Sequence, residues 1–392
     1  MKVLSFSYCF PSAIQPTWGL FVKQRLAALA ETVELQVASP VPVFPFLSHW
    51  RKIPKLLREQ YDGLTVHRPR FFYFPALLKS WDGRFYARGL MPWLKNLLRQ
   101  WQPDLLDAHF IWPDGVGVSL LARSFALPYV ITLRGKIYPC LEIPSQRRQC
   151  ADALKNAAAV ISVSNDMAEV ARQLGVSNDR LYVIPNGVDT SIFQPRDKTT
   201  ARRMLGLWEN GRLIVTVAHL GPRKGHWEVV RALSRLPDDV RLVIVGGDTE
   251  GDKNERALRG LINQLNLNDR VLLPGWQSYD KIPWYFSAAD VSVLASYREG
   301  CPNVVLESLA CGTPVIAAKV GAVSDLLSVP ENGRIIPPRD VDALTTALRD
   351  VLASRWSTDI ISHTKAVKSW HNVAKEIENV FTRVLSEPIT TR

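Results

Sequence analysis

Two carboxylates stand eight positions apart in the run Tyr297-Arg298-Glu299-Gly300-Cys301-Pro302-Asn303-Val304-Val305-Leu306-Glu307. The run lies between two short apolar stretches, Val291 to Ala295 and Val315 to Ala317, a pattern that reads as strand, loop, helix and strand of a parallel sheet. Pro302 suits the first turn of the helix and Gly312 its end, so the spacing predicts a helix from about Asn303 to Cys311 whose amino terminus attracts anions. Glu299 then falls in the loop before the helix and Glu307 about 6 Å further along its axis. Ionised carboxylates only accept hydrogen bonds, and sugar hydroxyls donate them. The pair beside a positive helix end therefore suits a ligand with many hydroxyls and a diphosphate, such as a nucleotide sugar. The plain alternative is a solvated helix face carrying two chance glutamates.

Other polar groups fall where parallel strands end. Leu213 to Ala218 reads as a strand followed by the basic loop Gly221-Pro222-Arg223-Lys224-Gly225, which can hold a diphosphate through charge-assisted bonds or be a solvated surface loop. Asp104 to Ala108 and Tyr129 to Leu133 read as further strands, one meeting His109 and the other Arg134-Gly135-Lys136. Ligands of doubly wound sheets gather at such ends; a buried structural histidine and a solvated loop cation are the alternatives. Gly19 enters a helix predicted over Leu20 to Ala30 and could let backbone approach a phosphate or sugar, or simply make a turn. The strand Arg241 to Val245 ends in Gly246-Gly247-Asp248, which lacks the G-x-G-x-x-G spacing and disfavours a dinucleotide enzyme.

The stretch from Glu299 to Ala317 closely resembles the donor-site signature of family four glycosyltransferases of the GT-B fold. The resemblance extends to Ile184-Pro185-Asn186-Gly187-Val188-Asp189 with Phe193, to Val217 through Gly225, and to Leu242 through Gly247. It implies an α/β protein of two Rossmann-like domains facing a cleft, the first holding an acceptor and the second a nucleotide-sugar donor, with retention of anomeric configuration. Carried onto this chain, it puts Lys224, Arg223 and His219 on the diphosphate, Glu299 on the sugar hydroxyls and Glu307 on the ribose. Gly300, Cys301, Pro302 and Asn303 complete the donor loop, and Pro274 and Gly275 set the turn of a segment that presents backbone to the base. It also places Gly19 in a glycine loop, and His109 and Arg134 close to the acceptor. Two positions depart from the pattern: His219 replaces an arginine, and Arg134 replaces the histidine of a His-Gly pair. The guanidinium of Arg134 keeps its charge and offers a planar fork, which points to an anionic acceptor, lipid-linked or polysaccharide, in cell-surface polysaccharide synthesis. No covalent nucleophile stands out. No Asp-x-Asp motif lies at the donor site, so neither a metal nor another cofactor is expected. A nucleotide-sugar 2-epimerase of the same fold, or a non-catalytic partner of another glycosyltransferase, remains as an alternative, the latter motivated by His219.

The 392 residues suit two domains. The resemblance sets them at 1–188 and 189–368, with a helix in 369–392 returning to the first; Val373, Ile377, Val380, Phe381 and Val384 share one face of it. Five cysteines without a C-x-x-C pair argue against disulfides and zinc and fit a reducing cytoplasm. No apolar run reaches the roughly 20 residues of a membrane helix. The net charge is +11, and residues 1–185 hold 22 basic against 13 acidic side chains. This asymmetry suggests an anionic partner, while no helix-turn-helix, finger or RNP-like pattern favours nucleic acid. Trp50 to Arg58 and Lys79 to Trp101 interleave aromatics, leucines and cations. They read as segments lying on the anionic inner face of a membrane, or as two ordinary amphipathic helices.

Overall fold

The computed structural model describes all residues except 45–53, 55, 75, 76, 136, 250–252 and 387–392. The described residues form two compact units, Met1–Asn186 with Trp370–Arg392, and Gly187–Ser369. Each is built on a sheet whose central strands are buried along nearly their whole length, because parallel strands are covered by helices on both faces.

The first unit contains β1 (Lys2–Phe6), β2 (Glu34–Ala38), β3 (Val41–Val43), β4 (Arg58–Tyr61), β5 (Leu64–His67), β6 (Arg70–Phe72), β7 (Leu105–His109), β8 (Tyr129–Leu133), β9 (Ala159–Ser162) and β10 (Leu181–Val183). Among the described residues these give an eight-stranded sheet in the order β10-β9-β8-β7-β1-β2-β5-β4 and a small pair, β3-β6. The large sheet is parallel except for the edge hairpin β4/β5. Asp62 and Gly63 turn that hairpin with φ of 52° and 80°, the left-handed pair that a two-residue hairpin turn requires. The helix Trp370–Ser386 belongs to this unit. Its Val373, Ile377, Val380 and Phe381 share a core with Val22, Leu26 and Leu29 of the helix Leu20–Leu29, in the unit to which the resemblance assigns it.

The second unit contains β11 (Arg212–Val217), β12 (Val240–Val245), β13 (Val271–Gly275), β14 (Val291–Leu294), β15 (Val315–Ala318) and β16 (Gly333–Ile336), all parallel in the order β13-β12-β11-β14-β15-β16. Successive side chains alternate between its faces. Val215, Val243 and Val245 pack with Val305, Leu306 and Leu309 of the helix Asn303–Ala310. Ile214, Leu242 and Ile244 pack with Val229, Val230 and Leu233 of the helix His226–Leu233.

Among its described residues, the basic, aromatic region between β3 and β7 holds one α-helix, not two. Of the first stretch, Trp50 to Ile53 and Lys55 lie outside the described residues, and Arg58 opens β4. The second is a helix, Asp82–Leu98, that buries Tyr86, Leu90, Leu94 and Leu97 within its own unit. It leaves Trp81, Arg84, Arg88, Lys95 and Arg99 exposed.

Candidate functional site

In the six-stranded sheet the chain passes from β11 to β12 on one side, while β14 lies on the other. The helices that follow β11 and β14 therefore cover opposite faces. The loops after these two strands leave the carboxyl edge at the switch point, where such sheets bind ligands. Here the loops are tied together. Tyr297 N donates to Arg223 O at 2.8 Å. Gly225 has φ +72°, and a Cβ on it would lie 2.1 Å from Ala295 O, so no other residue fits this approach. Lys224 Nζ then donates to Glu299 Oε1 at 2.6 Å. Both side chains keep some exposure, 20% and 16%.

Neighbouring groups fix the frame of this ion pair. Ala322 N donates to Gly300 O at 2.8 Å, holding the Glu299 loop from the far side. Burial pushes the Tyr297 hydroxyl up to about 12, so it stays protonated and donates to Glu228 Oε1 at 2.7 Å, with the Arg339 guanidinium 4.4 Å above its ring. His226 is fully buried at the start of its helix, and burial lowers its imidazole to about 4. It is therefore neutral, and Nε2–H donates to His219 O at 3.1 Å, fixing the turn before Lys224. His219 is half-buried and Arg223 exposed. Cys301 packs against the core, Pro302 is the N-cap, and Asn303 opens the helix.

Glu307 stands on the helix that follows β14 and keeps partial exposure. Desolvation nonetheless raises its carboxyl to about 8, so a protonated form that can donate as well as accept is accessible near neutral pH. No hydrogen-bond or ion-pair partner of this carboxyl occurs among the described residues. The site thus joins an ion-paired glutamate to one whose carboxyl is raised. Pro274 and Gly275 are the last residues of β13, not a turn beyond it. Gly246 N donates to Gly275 O at 3.0 Å, which occupies the carbonyl from within the sheet.

Gly19, His109 and Arg134 belong to the first unit, whose switch point lies between β1 and β7. Gly19 precedes its helix with φ +78°, and a Cβ there would lie 2.4 Å from Cys9 O. The chain's own return path therefore already requires glycine. His109 is wholly enclosed. Its Nε2 lies 3.0 Å from Asp107 Oδ2 and 3.3 Å from Ser5 Oγ, while Ser5 Oγ donates to Asp107 Oδ2 at 2.6 Å. Arg25 Nη2 lies 3.5 Å from Asp107 Oδ1, and Nη1 donates to Thr132 Oγ1 at 2.8 Å. Burial alone would raise the Asp107 carboxyl, but His109 and Arg25 hold it well below the usual range. Burial lowers His109 to about 4; it is neutral and donates through Nε2. Arg134 is buried at the end of β8, donating from Nη1 to Asn186 Oδ1 at 2.7 Å with its guanidinium 5.0 Å from the Phe21 ring centroid.

Sequence reading missed Asp107, Arg25, His226 and Glu228. Asp107 was within reach, since i and i+2 share a strand face and His109 already drew attention. Arg25 and Glu228 find partners 82 and 69 positions away, a distance over which a single sequence gives no signal.

Residues 197–369 match the family model of glycosyl transferases group 1, and residues 54–192 that of glycosyltransferase family 4. A putative teichuronic acid biosynthesis glycosyltransferase of Bacillus subtilis is 31% identical over 363 residues, 89% of this chain and 88% of the relative. A D-inositol 3-phosphate glycosyltransferase of Acidothermus cellulolyticus is 33% identical over 307 residues, 72% and 68% of the two chains. Among solved structures, a sucrose-phosphate synthase from Thermosynechococcus elongatus aligns with a TM-score of 0.81 at 22% identity, covering 98% of this chain and 99% of that one. Anabaena HepE, solved with UDP, aligns at 0.75 and 20%, covering 97% and 99%. These likenesses show the fold.

Proposed function

This chain belongs to the group 1 glycosyltransferases, and from that premise we propose that it moves a sugar, with retention, from a nucleotide sugar to an anionic saccharide acceptor. The acceptor is lipid-linked or polymeric, as in cell-surface polysaccharide synthesis. The observation that carries the donor half is the Lys224–Glu299 ion pair at the switch point. A bound diphosphate takes Lys224 as its counter-ion, and the sugar hydroxyls take the Glu299 carboxylate, so each member exchanges its internal partner for a ligand group. Lys224, aided by Arg223, then stabilises the charge that develops on the departing phosphate, the main task of such a site. In this reading no divalent ion is needed. Glu307 contacts the ribose. The relative named for teichuronic acid biosynthesis and the neighbour solved with UDP-glucose support a nucleotide-sugar donor and a polymeric acceptor.

Glu299→Gln should lower turnover about tenfold or more, because 1.4 kcal/mol of lost transition-state stabilisation is a factor of ten, while the melting temperature stays put. Undiminished turnover, or loss through unfolding alone, contradicts the assignment. No helix among the described residues is long and apolar enough to cross a membrane. In this reading the exposed Arg84, Arg88, Lys95 and Arg99 meet an anionic bilayer. Binding to vesicles should then rise with anionic lipid and fall with salt; indifference to both removes the membrane from the account.

A further inference from the structure

Away from both switch points, the first unit holds a pocket of about 350 Å³ between the carboxyl-terminal half of the helix Asp82–Leu98 and the strands β2, β5 and β4, within the range of about 300–1,000 Å³ usual for small-molecule sites. These three strands follow one another on the side of β1 away from β7, so the pocket stands off to one side of the β1/β7 switch point.

Its aromatic wall is fixed in place. Burial and the nearby Arg58 lower the His67 imidazole to about 4, so the ring is neutral and donates from Nε2 to Gln36 Oε1 at 2.7 Å. Trp93 leans on the His67 ring with centroids 5.4 Å apart and meets Phe6 edge-on at 6.3 Å. Trp101, just past the helix, is tied down by its indole Nε1, which donates to Glu34 Oε1. Both indoles are half-buried. The rim is polar and unengaged. Arg58, Asn96 and Gln100 line the pocket and are exposed, and no hydrogen bond or ion pair of their side chains occurs among the described residues. The Gln36 oxygen is taken by His67, which leaves its amide nitrogen for another acceptor.

This combination has a chemical meaning. A sugar ring carries C–H groups on its faces and hydroxyls around its edge. The faces pack on fixed aromatic rings, and the hydroxyls both donate to and accept from amides, which offer both functions. Among the described residues that line the pocket, Arg58 is the one charged side chain, and a guanidinium fork without a second cation fits a single carboxylate.

We propose that this pocket is a second saccharide site, which holds a uronic-acid residue of an acidic glycan with its ring packed on indole, its hydroxyls on Gln36, Asn96 and Gln100, and its carboxylate on Arg58. The proposal rests on the polymeric, anionic acceptor read above and goes beyond it: the first unit grips the chain at a point apart from the end that receives the sugar.

The test is calorimetric titration of wild type, Arg58→Ala, the double variant Asn96→Ala/Gln100→Ala, and Arg134→Lys as a control for the switch point. The probes are two oligosaccharides of equal length, one alternating glucuronic acid with N-acetylglucosamine and one of N-acetylglucosamine alone. Wild type should bind the acidic chain more tightly. Arg58→Ala should weaken the acidic chain about tenfold and leave the neutral one unchanged, while the double variant should weaken both by about five- to tenfold. Melting temperatures should hold in these two variants, since the altered side chains are exposed. Equal losses of both oligosaccharides in Arg58→Ala overturn the uronic-acid assignment. An acidic chain lost only in Arg134→Lys overturns the pocket and leaves the acceptor reading standing, and wild type that binds neither oligosaccharide overturns the pocket as well. If Arg58→Ala loses the acidic chain while turnover needs no acidic acceptor, the acceptor reading fails and the pocket stands.

Discussion

The two units carry the same device, a parallel sheet that changes direction at a switch point, yet they treat charge there in opposite ways. At β1/β7 the polar groups close on one another. Asp107 is engaged by Ser5, His109 and Arg25 and has no exposed surface, and Asp114 accepts from Tyr8 N and the Tyr86 hydroxyl at 3.1 and 2.9 Å. At β11/β14 the ion pair keeps contact with water, and the Glu307 carboxyl of the following helix is raised to about 8. Desolvated pairs are costly to separate, whereas a half-open pair can exchange partners at small cost. The first arrangement suits a scaffold; the second suits a place where a ligand's charge replaces an internal one.

The comparison breaks most visibly at Asp107. Replacing it with Asn leaves the buried Arg25 guanidinium without its counter-ion, and removing one partner of such a pair costs about 3–5 kcal/mol. Urea unfolding of Asp107→Asn should therefore shift strongly, while Lys224→Ala, which opens a partly solvated pair, should shift by about 1 kcal/mol or less. Similar shifts for the two variants would erase the distinction. A smaller effect is expected at Arg134, the cation at the end of β8. Arg134→Lys keeps the charge but loses the planar fork, and a lost hydrogen bond of about 1 kcal/mol corresponds to roughly a fivefold rise in KM for an acidic acceptor. Donor binding should not change. If neutral acceptors serve equally well and lose as much, the anionic acceptor is wrong.

The donor loop was legible because its constraints are local. Pro302 and Gly312 frame the helix Asn303–Ala310, and apolar runs mark the strands on either side. Lys224 and Glu299 were each legible as polar groups at strand ends, but their pairing across 75 positions belongs to the topology of the sheet. The raised Glu307 carboxyl was not legible either, since it depends on what covers the group. In the first unit the small pair β3-β6 and the hairpin β4/β5 were missed, although Asp62-Gly63 is a local hairpin signal; the surrounding cations and aromatics drew the reading toward helices. His109 showed its place at a strand end, but the arginine that reaches its aspartate comes from a helix packed on the sheet.

The central claim, that the β11/β14 switch point holds the donor's diphosphate through Lys224, is tested most directly by titrating wild type and Lys224→Ala with a nucleoside diphosphate and with its parent nucleoside. A charge-assisted hydrogen bond contributes about 1.5–3 kcal/mol. Lys224→Ala should therefore weaken the diphosphate by roughly ten- to a hundredfold and leave the nucleoside within about twofold of wild type. Equal losses for both ligands, or no loss for either, would contradict the claim.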